Sequence, residues 1–194
     1  MEAIVGSKVE KVNGDVIPVK SICGPRTIIG ILFTWSESIL CQQYLPKVIE
    51  FYKRYHIKSN KNGNFHVIAL IDNENTETQW EAYRKTMPWL AVPYSNIQNL
   101  LKMEIYWILI GRKVASNEYN IALNFLDDSL RMNIFWKKRF SNVDGYPTLQ
   151  MYDSVSGKLL SPDIMSRVLQ GSYDPFEMNG NDYVDNLTNI HTHI

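Results

Sequence analysis

The sequence predicts an α/β domain built on a mixed β-sheet. Two short, continuously apolar runs carry this reading, Thr27–Phe33 and His66–Ile71, with a helix-period stretch from Ser38 to about Tyr55 between them. A late hairpin pattern, Thr148–Tyr152 and Lys158–Leu160 around Ser156-Gly157, completes it. Strand and helix alternate first and antiparallel pairing comes late, which is the pattern of a sheet holding both orientations.

Each element has a local justification. Thr27-Ile-Ile-Gly-Ile-Leu-Phe33 is β-branched and apolar without alternation, so the strand is buried on both faces. Leu40, Tyr44, Leu45, Val48, Ile49 and Tyr52 form one broad helical stripe, with Pro46 inside it predicting a kink. Lys58 to Asn64, rich in Asn and Lys, reads as a loop. His66-Val-Ile-Ala-Leu-Ile71 is the second buried strand. Thr76-Glu-Thr-Gln79 fits a capping box and opens a helix to about Thr86, before Pro88. Trp89–Val92 is a short strand, Ile97–Phe125 fits no single period, and a helix is expected from about Asp128 to Phe140. The expected organisation is a single domain over 1–180, with 97–125 as an insertion and a mobile polar tail over 181–194.

Composition narrows the function classes. The 194 residues are 45% hydrophobic and 21% charged, a globular balance with apolar residues enough for a core. Twenty basic and twenty acidic residues cancel, so neither nucleic acid nor an anionic membrane is the expected partner. The start lacks a signal-peptide pattern. The longest apolar stretch, Ile105–Ile110, is far short of the ~20 residues that span a bilayer. Two cysteines make no disulfide framework. The expectation is a soluble protein of a reducing compartment, cytoplasmic with the nucleus left open.

Four segments then resemble a known family. Pro46-Lys-Val-Ile-Glu-Phe-Tyr52, Met87-Pro-Trp-Leu-Ala-Val-Pro93 and Gly145-Tyr-Pro-Thr148 occur in order, and Asn13-Gly-Asp-Val-Ile-Pro-Val19 resembles an opening hairpin. Together they resemble the nucleoredoxin and tryparedoxin branch of the thioredoxin-like superfamily, over roughly residues 4–96 and 128–172. The resemblance implies a thioredoxin-like fold, a central mixed sheet flanked by helices, and a cis bond before Pro147. It also implies protein-disulfide chemistry through W-C-P-P-C at a strand-to-helix junction. There the first cysteine sits at the helix N-terminus, where the macrodipole favours its thiolate, and the second resolves the mixed disulfide.

This chain carries Phe33-Thr-Trp-Ser-Glu-Ser-Ile-Leu-Cys41 at that junction. Counting back from Pro46 puts Cys41 on the second cysteine and Ser38 on the first. Aligning Trp35 on the family tryptophan puts Ser36 there instead. Either register replaces the nucleophile with serine, which forms no disulfide. Dithiol turnover is therefore expected to be absent, with Ser38 serving as a helix N-cap. Cys41 is either an inert leftover or a single working thiol that exchanges with glutathione. Cys23 is expected to be structural, because seven strand residues, roughly 23 Å, separate it from the junction.

Trp35, Tyr146 and Pro147 are the expected walls of a groove for a protein or peptide partner. Tyr146 would either pair with an extended segment or simply cover the site. The insertion would lid the site or pack on the core. His56 is expected past the helix and His66 at a strand start, so neither a serine–histidine pair nor a metal site is expected, and no cofactor.

Overall fold

The computed structural model describes residues 1–62, 64–71, 76–97 and 146–175. In chain order these form α1 (Glu2–Val5), β1 (Lys8–Glu10), β2 (Val16–Pro18), a 3₁₀ turn (Val19–Ile22) and β3 (Thr27–Thr34). Then come α2 (Ile39–Asn62), β4 (Asn64–Ile71), α3 (Glu77–Arg84) and β5 (Leu90–Ala91). The last are β6 (Thr148–Asp153), β7 (Leu159–Ser161) and α4 (Met165–Leu169). Among the described residues seven strands make one mixed sheet in the order β2-β1-β5-β4-β3-β6-β7. β3, β4 and β5 run parallel, while β6 is antiparallel to β3 and β1 to β5. The expected insertion over 97–125, the helix at 128–140 and the tail from 181 lie outside the described residues, save Ile97.

β3 is central because its sequence leaves it nowhere else to go. Seven of its eight residues are buried, so both faces are covered, as a continuous apolar run requires. Gly30 is where the covering is tightest. A Cβ there would stand 3.1 Å from Leu149 Cδ1 and 3.3 Å from Met151 Sδ. A larger residue would press on the Leu149 and Met151 side chains of β6.

α2 packs on the face that carries Phe65. Beyond Cys41 in the first turn, Val48, Phe51, Tyr52 and Tyr55 are its buried positions, spaced i, i+3, i+4, i+7. The Phe51 ring meets Phe65 edge-on at 5.5 Å between centroids, and Tyr52 meets Trp89 the same way at 5.5 Å. Two expectations need correction. The helix does not stop near Tyr55, and Lys58–Asn62 is its last turn rather than a loop. Polar composition marks a solvated helix surface as readily as a loop, and no glycine interrupts the chain before Gly63. Leu40 also leaves the expected stripe, being 48% exposed on the first turn. Pro46 is accommodated inside the helix.

The remaining ends are closed locally. Thr76 caps α3: the Gln79 N–H donates to Thr76 Oγ1 at 3.2 Å, and that hydroxyl donates to Gln79 Oε1 at 3.0 Å. α4 ends in a Schellman motif, with Ser172 N–H donating to Arg167 O, Gly171 N–H donating to Val168 O, and Gly171 at φ +70°.

The opening hairpin joins the rest of the sheet through one residue pair, Glu10↔Ala91. Arg84 supplies what that pairing lacks. Buried to 3% exposure, it donates to the main-chain carbonyls of Met87 (3.0 Å), Glu10 (3.1 Å) and Trp89. It therefore ties α3, β1 and the approach to β5 at one point. Desolvation lowers its pKa and raises that of Glu10, and each charge partly offsets the other's shift. Arg84→Met should strand three carbonyls without a donor. The expected loss is about 3 kcal/mol, read from the urea midpoint, with the hairpin's amides losing hydrogen-exchange protection first.

β5 pairs only with Ile68 and Ala69 of β4, so the start of β4, at the end of the sheet opposite the α2 N-terminus, extends beyond it. His56, within α2, bonds the Phe65 carbonyl at 3.1 Å. A carbonyl only accepts, so Nδ1 carries the proton. Tyr52 stacks on the His56 ring at 4.8 Å, and the His66 ring lies 5.9 Å from it. Burial, and then the neighbouring His56, lower the His66 pKa from the ordinary value near 6.5. The folded state thus binds fewer protons than the unfolded chain below that value, so stability is full above pH ~6.5 and declines as pH falls from there. Melting temperatures of wild type and His66→Thr between pH 7.5 and 5.5 should diverge with this sign, wild type losing more; parallel curves would contradict it.

Candidate functional site

The site forms where β3 ends. Because β4 and β5 are parallel to β3, their C-terminal ends share that edge of the sheet. β6 is antiparallel, so its beginning lies there too, and the pairing Phe33↔Thr148 puts Tyr146-Pro147 beside the exit of β3. The Tyr146–Pro147 bond is cis. Three segments distant in sequence thus meet: Trp35–Cys41, the loop before β6, and the end of β5.

The turn between β3 and α2 is held by short-range bonds. Ser38 N–H donates to Trp35 O at 3.3 Å, and Gln42 N–H to Ser38 O at 3.0 Å. Gln42 Nε2 reaches back to Ser36 O at 2.7 Å. Ser38 Oγ accepts the Cys41 N–H at 3.3 Å. With Ile39 the first helical residue, Ser38 has the geometry of an N-cap whose oxygen satisfies the third helical amide. Ser36 lies upstream in the turn. Below, Thr34 Oγ1 and Tyr83 Oη share a buried 2.6 Å hydrogen bond that ties the end of β3 to α3.

The thiols are apart and both free. Cys41 is 1% exposed, facing the core from the first turn of α2. Cys23 precedes β3, eight residues of strand away, a span of about 26 Å that no disulfide bridges. Its Sγ donates to Val19 O at 3.3 Å, and burial raises its pKa.

Described histidines lie elsewhere. The expectation that His56 lies past the helix is incorrect, since α2 continues to Asn62 and includes it. At 15 residues beyond Cys41 it is about 23 Å along the helix axis. His66 is the third residue of β4, near the start of that strand and at the other end of the sheet from Ser38. The Ser38 hydroxyl therefore has no described imidazole as a base. Among the described residues no group of three or more His, Cys, Asp or Glu is arranged to hold a metal ion, and no helix is long and apolar enough to cross a membrane.

Sequence reasoning missed the outer surface of this turn. Ile39 is 69% exposed and Leu40 48%, while Trp35, Ser38, Tyr146 and Pro147 are half-buried. A signal was present: adjacent helical residues point about 100° apart, so Ile39, Leu40 and Cys41 cannot all face one core. The Thr34–Tyr83 bond had no local signal, because its partners are 49 residues apart.

Comparison with known proteins agrees with this geometry. Residues 26–106 match the family described as thioredoxin-like. Probable nucleoredoxin 1 of Arabidopsis thaliana is 34% identical over 84 residues, 43% of this chain and 14% of that protein. Nucleoredoxin of Xenopus laevis is 26% identical over 100 residues, 52% of this chain and 22% of the relative. Tryparedoxin of Trypanosoma brucei brucei is 28% identical over 78 residues, 40% of this chain and 49% of the relative. The chain thus spans less than half the length of these relatives where it matches them. Among solved structures, native tryparedoxin I from Crithidia fasciculata superposes with a TM-score of 0.60 at 22% identity, covering 88% of this chain and 90% of that one. Tryparedoxin from Trypanosoma brucei gives 0.58 at 20% identity, covering 90% of each. The chain has a thioredoxin-like fold, matches the thioredoxin-like family over residues 26–106, and is similar in sequence over part of its length to nucleoredoxins and a tryparedoxin.

Proposed function

We propose that this chain is a thioredoxin-fold binding module that has kept the scaffold and groove of its relatives and lost dithiol oxidoreductase turnover. The observation that carries this reading is the pairing of Ser38 with Cys41. Dithiol exchange needs a thiolate at the helix N-cap, which attacks a substrate disulfide, and a second thiol one turn inside, which displaces the product. The N-cap here is a serine whose oxygen accepts the Cys41 amide proton. A hydroxyl is scarcely ionised at neutral pH and forms no bond of disulfide type. Cys41, three residues on, is covered, so a disulfide reaches its sulfur only after the turn opens.

The surface left over suits recognition. Ile39 and Leu40 stand where the relatives' motif has two prolines, and they surround Ser38 with exposed apolar area. An extended peptide pairing with the main chain at Tyr146 would lay its side chains against Trp35 and these two residues. The partner is accordingly a protein segment, held by main-chain hydrogen bonds and an apolar contact.

The test is reduction of insulin disulfides, with dithiothreitol and with glutathione as alternative reductants. Wild type should show background only. Ser38→Cys should gain turnover, since a cap thiol stands one turn from Cys41, and Ser36→Cys should not. Ser38→Ala should stay inactive and lose about 1 kcal/mol of stability as its cap is removed. Turnover by wild type with glutathione, abolished in Cys41→Ser, would establish the single-thiol enzyme instead and overturn the binding-module reading.

A further inference from the structure

α2 and α4 enclose a cavity of about 200 Å³ on the helical side of the sheet. Its apolar lining is Phe51, Val168, Leu169 and Tyr173, and its rim includes Lys47, Glu50 and Arg54. Ligand pockets for small molecules usually begin near ~300 Å³, so this one suits a single large side chain rather than a cofactor. It begins six residues past Cys41 along α2, roughly 9 Å, and shares no residue with the Ser38–Cys41 turn.

The rim is charged and unpaired. Lys47 and Arg54 are exposed, seven residues apart on one face of α2, and neither makes an ion pair among the described residues. Across the cleft, the Arg167 guanidinium lies 4.7 Å over the Tyr173 ring. Two lining cations, Lys47 and Arg54, thus stand beside one lining carboxylate, Glu50. Positive charge around an apolar hole complements an acidic segment with one bulky apolar side chain, where the hole takes the side chain and the rim fixes register.

We propose that the α2–α4 cleft is a second docking surface, taking an acidic protein segment that inserts one leucine-sized side chain between Phe51 and Leu169. Lys47 and Arg54 would each meet a carboxylate of that segment, while Glu50 disfavours a segment with basic flanks. The site does not depend on thiol chemistry at Ser38 or Cys41.

Fluorescence anisotropy with the full chain tests this. The probe is a fluorescein-labelled peptide of Asp and Glu residues around one central Leu. Saturable binding should weaken at least ~10-fold in Lys47→Glu/Arg54→Glu, both exposed positions whose variant fold is checked by circular dichroism. It should weaken comparably when the central Leu is replaced by Ser, and with rising salt. Ser38→Ala and Leu40→Ser should leave it unchanged. Absence of saturable binding overturns the proposal. So does binding that is indifferent to the charge reversal or to the loss of Leu, and so does loss of binding in Leu40→Ser, which would move the contact to the apolar turn. Binding to phosphatidylserine vesicles without binding to the peptide overturns it in favour of a membrane surface.

Discussion

A strand can lie in the interior of a sheet only when neighbours on both sides satisfy its backbone and layers on both faces exclude water from its side chains. β3 meets that constraint through β4 on one side and β6 on the other, in registers running the whole or nearly the whole of its length. Much of the functional geometry is a consequence. Parallel pairing with β4 fixes which end of the sheet receives the start of α2. Antiparallel pairing with β6 brings Tyr146-Pro147 to that same end. Gly30 lets the three strands and the α2 layer close without a void, because a side chain there would occupy space already filled by Leu149 and Met151.

At this strand end, two demands compete for the first turn of α2. The helix needs its leading amides satisfied, and the core needs apolar side chains on the inward face. Ser38 meets the first demand by accepting from Cys41, and Cys41 meets the second by facing inward. Ile39 and Leu40 are then left on the exposed side of that turn. The buried thiol and the exposed apolar surface are therefore two results of one helical periodicity.

Support for this site is polar and non-local. Arg84 gathers three carbonyls from one loop and a strand, which holds the opening hairpin to a sheet that it meets through a single residue pair. Thr34 and Tyr83 join the end of β3 to α3. All but the part-buried bond to Glu10 are buried, where a lost partner costs more than it would at the surface. Removing either is expected to be felt at the strand end as well as in overall stability.

What the sequence determined by itself was whatever depends on local pattern. Continuous apolar runs announced β3 and β4, the Thr76–Gln79 spacing announced the start of α3, and Ser156-Gly157 announced the β6–β7 turn. The candidate residues Trp35, Ser38 and Cys41 were legible because they adjoin one another in the chain, and Tyr146 and Pro147 because they precede a strand pattern within a recognisable motif. Helix length was not legible: Lys58–Asn62 is polar, and a polar helical turn has the composition of a loop. Tertiary structure alone decided that Leu40 is exposed, that Cys41 is covered, that His56 and His66 are neighbours, and that Arg84 bridges α3 to β1. Each of these rests on contacts between residues far apart in sequence or on which face finds a covering layer, and local pattern carries no information about either.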